Sequence, residues 1–190
     1  MTRWMKVPAL AGLALGLFVV TASDELAAAS KAEEVKKYAQ ELRTAKDAKV
    51  KITALGEIGK AGLIDKALVA DSIKDIVAAL KDGDAGVRAA AAHAYGQVAR
   101  ATEDKKAVVT TLVKMMKEDG DENVKYGAIQ GLASMRDGAK DAVGELKKLH
   151  DEEVDKARKE AEAKKAKVNN PQTKLSRATQ DAMRAINDRN

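Results

Sequence analysis

"DAGVRAAAAHAYGQVA", residues 84–99, is the stretch whose reading decides the fold. Seven of its 16 residues are alanine, with an aspartate and a Val-Arg pair near its start and Tyr-Gly near its end. Small residues on a helix face let a second helix come close, so the alanine run marks a helix packed tightly on both sides rather than a weak core. The same arrangement recurs on either side. "DAKVKITALGEIG" begins at Asp47 and "DENVKYGAIQGLA" at Asp121, 37 residues before and after Asp84.

The shared pattern is Asp-x-x-Val-[Lys/Arg]-x-x-Ala-apolar-x-x-apolar-[Gly/Ala]. Val50, Val87 and Val124 form one column, Lys51, Arg88 and Lys125 the next, and Ala54, Ala91 and Ala128 the alanine. Ile58, Tyr95 and Leu132 supply the large apolar position, with Gly59, Gly96 and Ala133 after it. Each aspartate stands where an N-cap accepts from the first-turn N–H groups, and the apolar spacing is that of one buried helical face. Three copies in register identify an internal repeat.

Between these helices lie second ones: "DSIKDIVAALK" from Asp71, "EDKKAVVTTLVKMMK" from Glu103 and "KDAVGELKKLH" from Lys140. Their periodicity predicts buried faces of Ile73, Ile76, Val77 and Leu80, then Val109, Leu112, Val113 and Met116, then Val143, Leu146 and Leu149. The unit is helix, turn, helix. Composition agrees: 45% hydrophobic, 33% charged and only 3% aromatic residues suit an all-helical chain of 190 residues. The absence of cysteine excludes disulfides, thiolate metal sites, a cysteine nucleophile and an acylated cysteine.

The N-terminus is of a different kind. Arg3 and Lys6 precede an uncharged apolar stretch, Val7 to Ala22, that ends in the small residues Val20-Thr21-Ala22. This is the order of a secretory signal peptide, with cleavage predicted after Ala22 and a second acceptable site after Ala29. A retained anchor is the competing reading, but the run is shorter than the ~20 residues a spanning helix needs. Cleavage removes Trp4, Phe18 and two of the 34 basic residues but none of the 29 acidic ones, leaving a net charge of +3. That is weak for a nucleic-acid binder, and the sequence pI of about 9.2 is not read as one.

The repeated units resemble HEAT repeats, in particular the short bacterial PBS-lyase HEAT-like kind, whose first helix reads roughly Asp-x-x-Val-Arg-x-x-Ala-x-x-Ala-Leu-Gly. The resemblance covers Ala45 to Leu149, and the middle unit fits best. Lysine replaces arginine at residues 51 and 125, and Tyr95 takes a leucine slot. A fourth Asp-x-x-Val, Asp151 to Val154, comes only 30 residues after Asp121 and runs into "DKARKEAEAKK" without large apolar residues, as a terminating cap would. The resemblance implies a short all-α solenoid. Its segments are a signal peptide (1–22), a linker and N-terminal capping helix (23–44), the repeats (45–150), a charged helix (151–168) and a C-terminal amphipathic helix (169–190). Leu175, Ala178, Ala182 and Ile186 give that last helix one apolar face, which folds back or docks elsewhere.

Catalytic and cofactor motifs do not complete themselves. "GEIGKAG" from Gly56 lacks the glycine of a phosphate loop at Ala54 and the hydroxyl at Ala61, and reads as a helix end with a glycine turn. "DGDEN" from Asp119 begins like a calcium loop, but Val124 and Gln130 stand where glycine and a bidentate glutamate belong, so it reads as a turn between repeats. His93 and His150 fall on different helices without metal-ligand spacing. Chromophore lyases carry similar repeats, but such an activity sits badly with an export signal. No catalytic, metal or cofactor residue is assigned.

What remains is a basic ridge on the second helices: Lys74, Lys81, Lys105, Lys106, Lys114, Lys117, Lys140, Lys147 and Lys148, with Asp75, Glu118 and Glu145 nearby. The family resemblance implies that these helices line the binding side. The expectation is a non-enzymatic scaffold in the periplasm or outside the cell that binds another protein; an acidic partner segment is the functional reading of the ridge, and an ordinary solvated helix face the competing one. Nucleic acid is not expected as a partner, and membrane contact only if the signal segment stays. An envelope-associated protein on an anionic surface is the alternative, and a lyase-like subunit the remote one.

Overall fold

The computed structural model describes residues 12–164 and 171–188, which divide into two compact units, 1–34 and 35–190. Residues 1–11 of the expected signal segment and the side chains around its cleavage site lie outside the described residues. Among the described residues all regular structure is helical, and no helix is long and apolar enough to cross a membrane. The helices are α1 (Gly12–Thr44), α2 (Ala48–Ile64), α3 (Ile73–Ala79), α4 (Ala85–Gln97), α5 (Lys105–Glu118), α6 (Glu122–Met135), α7 (Val143–Ala163) and α8 (Lys174–Asn187). In the first unit Lys31 Nζ donates to Glu34 one turn on, at 2.9 Å. All that follows concerns the second.

Three aspartates start the three repeat helices. Asp47, Asp84 and Asp121 have extended backbones, and their carboxylates accept from the N–H of Lys49, Val87 and Asn123 respectively. Each thereby satisfies one of the N–H groups a helix start leaves open. The helices so started, α2, α4 and α6, lie side by side in one layer, and α8 joins them next to α6. Beneath run the second helices, with α3 against α4, α5 against α4 and α6, and α7 against α8. Leu55, Ile58, Ile76, Val87, Leu112, Met116, Ile129, Leu132, Leu146 and Ile186 fill the space between at 0–1% exposure.

The alanine run owes its composition to α4, which touches α2, α3, α5 and α6. Between α4 and α6 the approach is backbone to backbone. A methyl added at Gly131 would stand 2.5 Å from the Ala92 carbonyl oxygen, and at Gly96 or Gly127 it would strike the backbone of Gly131 or Ala89. Gly59 and Gly62 lie inside α2 rather than in a glycine turn, because they face Ala94 and Val98 at similarly short range. Two expected core positions also move outward. Val77 is 37% exposed because α3 is a single short helix buried through Ile76 and Ala79, and Val50, in the first turn of α2, is 37% exposed.

The basic column has a structural use. Lys51 Nζ reaches Asp82 at 2.7 Å, and Arg88 clasps Asp119 with two bonds of 2.9 and 3.0 Å while donating also to the Asp82 and Gly83 carbonyls. Asp82 and Asp119 in turn accept from the N–H groups of Asp84 and Asp121. Each Asp-Gly-Asp turn is thus fixed from both sides. The hydrogen bonds from Lys51 and Arg88 hold the carboxyls of Asp82 and Asp119 below the ordinary 3.8.

The C-terminal segment folds back. Leu175, Thr179, Ala182 and Ile186 of α8 are buried at the same spacing as Val124, Ala128, Gly131 and Met135 of α6. Lys174 donates to Asn123 at 2.9 Å and sits 4.4 Å from the Tyr126 ring centroid. His150 of α7 donates through Nδ1 to the Ser176 carbonyl at 2.8 Å. The charged segment after residue 150 is not a separate helix, since α7 runs unbroken to Ala163.

Gly131→Ala is expected to lower stability by about 2 kcal/mol through overpacking, whereas Gly56→Ala, in open space on α2, raises it by about 0.5–1 kcal/mol; urea unfolding checks both. Because the Asp82 and Asp119 pKa values are depressed, their stabilisation is present above the ordinary carboxylate value and is lost as pH falls below it. Arg88→Ala should therefore cost about 1–3 kcal/mol near neutrality. That difference from wild type narrows as pH falls below the ordinary carboxylate value of 3.8 in parallel unfolding curves.

Candidate functional site

All nine lysines of the expected ridge are exposed. Lys74 lies on α3 and Lys81 just after it, Lys105 and Lys106 begin α5, Lys114 and Lys117 lie in its second half, Lys140 precedes α7, and Lys147 and Lys148 lie on α7. They do not form one patch. Lys105 and Lys117 are twelve residues apart on one helix, about 18 Å at 1.5 Å per residue. Lys117 and Lys148 are brought together by Glu145, which accepts from them at 3.0 and 2.7 Å. Those two bonds, Lys148 first, hold the Glu145 carboxyl below its usual range, and Glu145 raises Lys148 in return. Lys114 pairs loosely with Glu118 at 3.9 Å.

The three acids anticipated beside the ridge are therefore all engaged, Asp75 by Arg43 at 2.9 Å. Among the described residues Lys74, Lys81, Lys106, Lys140 and Lys147 make no ion pair. Lys51 and Arg88 of the first-layer helices are instead committed to the turns. Further cations without an ion pair among the described residues stand on the turns within each unit, Lys66, Arg100 and Arg136 among them.

Those turns hold the feature that motif reading missed. Two adjoining cavities of about 460 and 420 Å³ share Leu63, Arg100 and Lys105 and extend from Lys66 to Arg136. Positions 63, 100 and 137 stand 37 residues apart, so extending the repeat alignment past the first helices would have brought this column out. Neither histidine enters these cavities: burial lowers the His93 pKa on α4, and His150 is engaged by α8. Among the described residues no three His, Cys, Asp or Glu side chains are placed to hold a metal ion.

A family model described as HEAT repeats matches residues 35–132, starting where the second unit starts. The chain belongs to the HEAT-repeat family. HEAT repeats generally mediate protein–protein interaction or scaffolding. Comparison with curated proteins gives no match. The HEAT match ends within α6, while the same packing continues through α7 and α8.

Glu145→Gln is expected to release Lys117 and Lys148 and so to raise the salt needed to elute the protein from immobilised heparin, used as a generic polyanion. Unchanged elution would show that these lysines do not act as one surface.

Proposed function

We propose that this HEAT-repeat chain is an exported, non-enzymatic scaffold of the short PBS-lyase-like subtype that binds an acidic segment of another protein along its second helices. The observation that carries the reading is the division of its basic residues. Lys51 and Arg88 of the first layer are consumed in holding the turns, while the second helices and their flanking turns keep nine lysines exposed. A partner bearing carboxylates gains from such a surface chiefly in association rate and specificity, because exposed charges attract over a screened range of about 10 Å. Export rests on Arg3, Lys6, the apolar stretch from Val7 and the small residues before Ser23. The 37-residue spacing and the Asp-x-x-Val-[Lys/Arg] opening support the subtype.

The test is capture from envelope extract with C-terminally tagged full-length protein, beside its Lys114→Glu/Lys117→Glu variant. The native protein should begin at Ser23 by N-terminal sequencing and recover a defined partner, which the variant and high salt both lose. A partner recovered equally by both would remove the second helices from the interaction. An intact N-terminus with sedimentation in the membrane fraction would favour an envelope-associated role instead.

A further inference from the structure

The geometry points to a peptide-anchoring groove along the turns within the repeat units, one that takes an apolar side chain flanked by carboxylates from a partner polypeptide. It rests on the reading of the chain as a protein-binding scaffold, and it adds a contact surface distinct from the second-helix ridge, with Lys105 common to both.

The two cavities that share Leu63, Arg100 and Lys105 span the turns of all three units, so no single repeat makes the groove. Its apolar part is unusual for this chain. Leu63 is 45% and Ile64 74% exposed, adjacent at the end of α2, whereas the other large exposed apolar side chains among the described residues, Val50 and Val77, stand apart. An apolar pair left in water beside a concavity is what an interaction site requires before its partner arrives.

The polar part is cationic. Lys66, Arg100, Lys105 and Arg136 line the groove, and among the described residues none of them makes an ion pair, although Arg43, Lys51, Arg88, Lys117 and Lys148 are each held by a carboxylate. The two acids of the groove are Asp65 and Asp137, and the Asp65 carboxylate is engaged by the Ala67 N–H at 2.9 Å. Arg136 carries a backbone φ of 51°, the one non-glycine residue with positive φ among the described residues. A glycine would adopt that conformation without the clash of a β-carbon. The chain keeps a guanidinium there, on the groove wall.

Together these choose the occupant. Two guanidinium groups suit carboxylates, which they bind through paired hydrogen bonds, and Leu63 with Ile64 gives an adjacent apolar side chain a surface to cover. A nucleic acid would use the cations but leave the apolar pair wet. An acidic peptide with an embedded apolar residue satisfies both.

Selection of short random peptides displayed on phage against the full chain tests this. Enriched sequences should place Leu, Ile, Val or Phe beside Asp or Glu. A synthetic copy of an enriched peptide should lose at least about tenfold in affinity, by fluorescence polarisation, to Leu63→Ser/Ile64→Ser and to Arg100→Glu/Arg136→Gly. All four positions are exposed, and glycine at 136 relieves the backbone, so both variants should melt as the native chain does. An enriched pool lacking acids or apolar residues, no enrichment, or affinities within about twofold of native for both variants would overturn the groove. Loss only on Lys114→Glu/Lys117→Glu would likewise overturn it while leaving the second-helix scaffold reading in place, and loss of no kind in any variant would count against both surfaces.

Discussion

The structure depends on how closely α4 and α6 approach. Their contact is made by main chain on main chain through Gly96, Gly127, Gly131, Ala89 and Ala92, where any side chain beyond a hydrogen or a methyl would force the helices apart. Such contact fixes separation and register at once, because peptide groups cannot change rotamer to accommodate a mismatch. The larger residues then face the other layer, where Leu112, Met116, Leu132 and Leu146 fill the remaining volume. A thin seam between neighbours in one layer and a thick core between layers is what lets repeats stack at constant spacing.

Constant spacing is also what lines up the turns. At one edge, Arg88 can reach both the Asp82-Gly83 carbonyls before its own helix and the Asp119 carboxylate of the next turn, since the two turns are held a side chain apart. At the other edge the turns following α2, α4 and α6 come close enough to enclose cavities that share residues from successive units. The charge of the chain is apportioned by the same geometry. Lys51 and Arg88 at the first edge are neutralised by turn carboxylates, Lys117 and Lys148 on the second helices are clamped by Glu145, and Lys66, Arg100, Lys105 and Arg136 at the opposite edge make no ion pair among the described residues. Net charge says nothing of this division.

The end of the array follows the same rule with different chemistry. α8 takes the place beside α6 that another repeat helix would take, with Thr173 capping it in place of aspartate, Ser176 buried where Lys125 stands in α6 and Thr179 where Ala128 stands. Those hydroxyls are satisfied inside the helix, Ser176 through the Thr173 carbonyl and Thr179 through the Ser176 carbonyl, and His150 ties the latter to α7. A helix with weak resemblance to the repeat pattern thereby covers the exposed side of α6, which would otherwise leave its apolar face in water.

Local periodicity was enough to determine the repeat. The 37-residue register, the capping aspartates, the helix-turn-helix unit and most of the core could be read from residues a few positions apart, because caps and buried faces are properties of single helices. The exposed lysines were legible for the same reason. Tertiary structure alone decided which cations stay free, since Lys51, Arg88 and Lys117 meet partners some 30 residues away. It alone placed Gly59 and Gly62 within a helix rather than a turn, turned Val50 and Val77 outward, brought α8 back onto α6, and opened a groove at the column that the 37-residue spacing of positions 63, 100 and 137 only aligns. Each of these depends on which helix lies against which and at what distance, and that is set by packing between layers rather than by the pattern within any one helix.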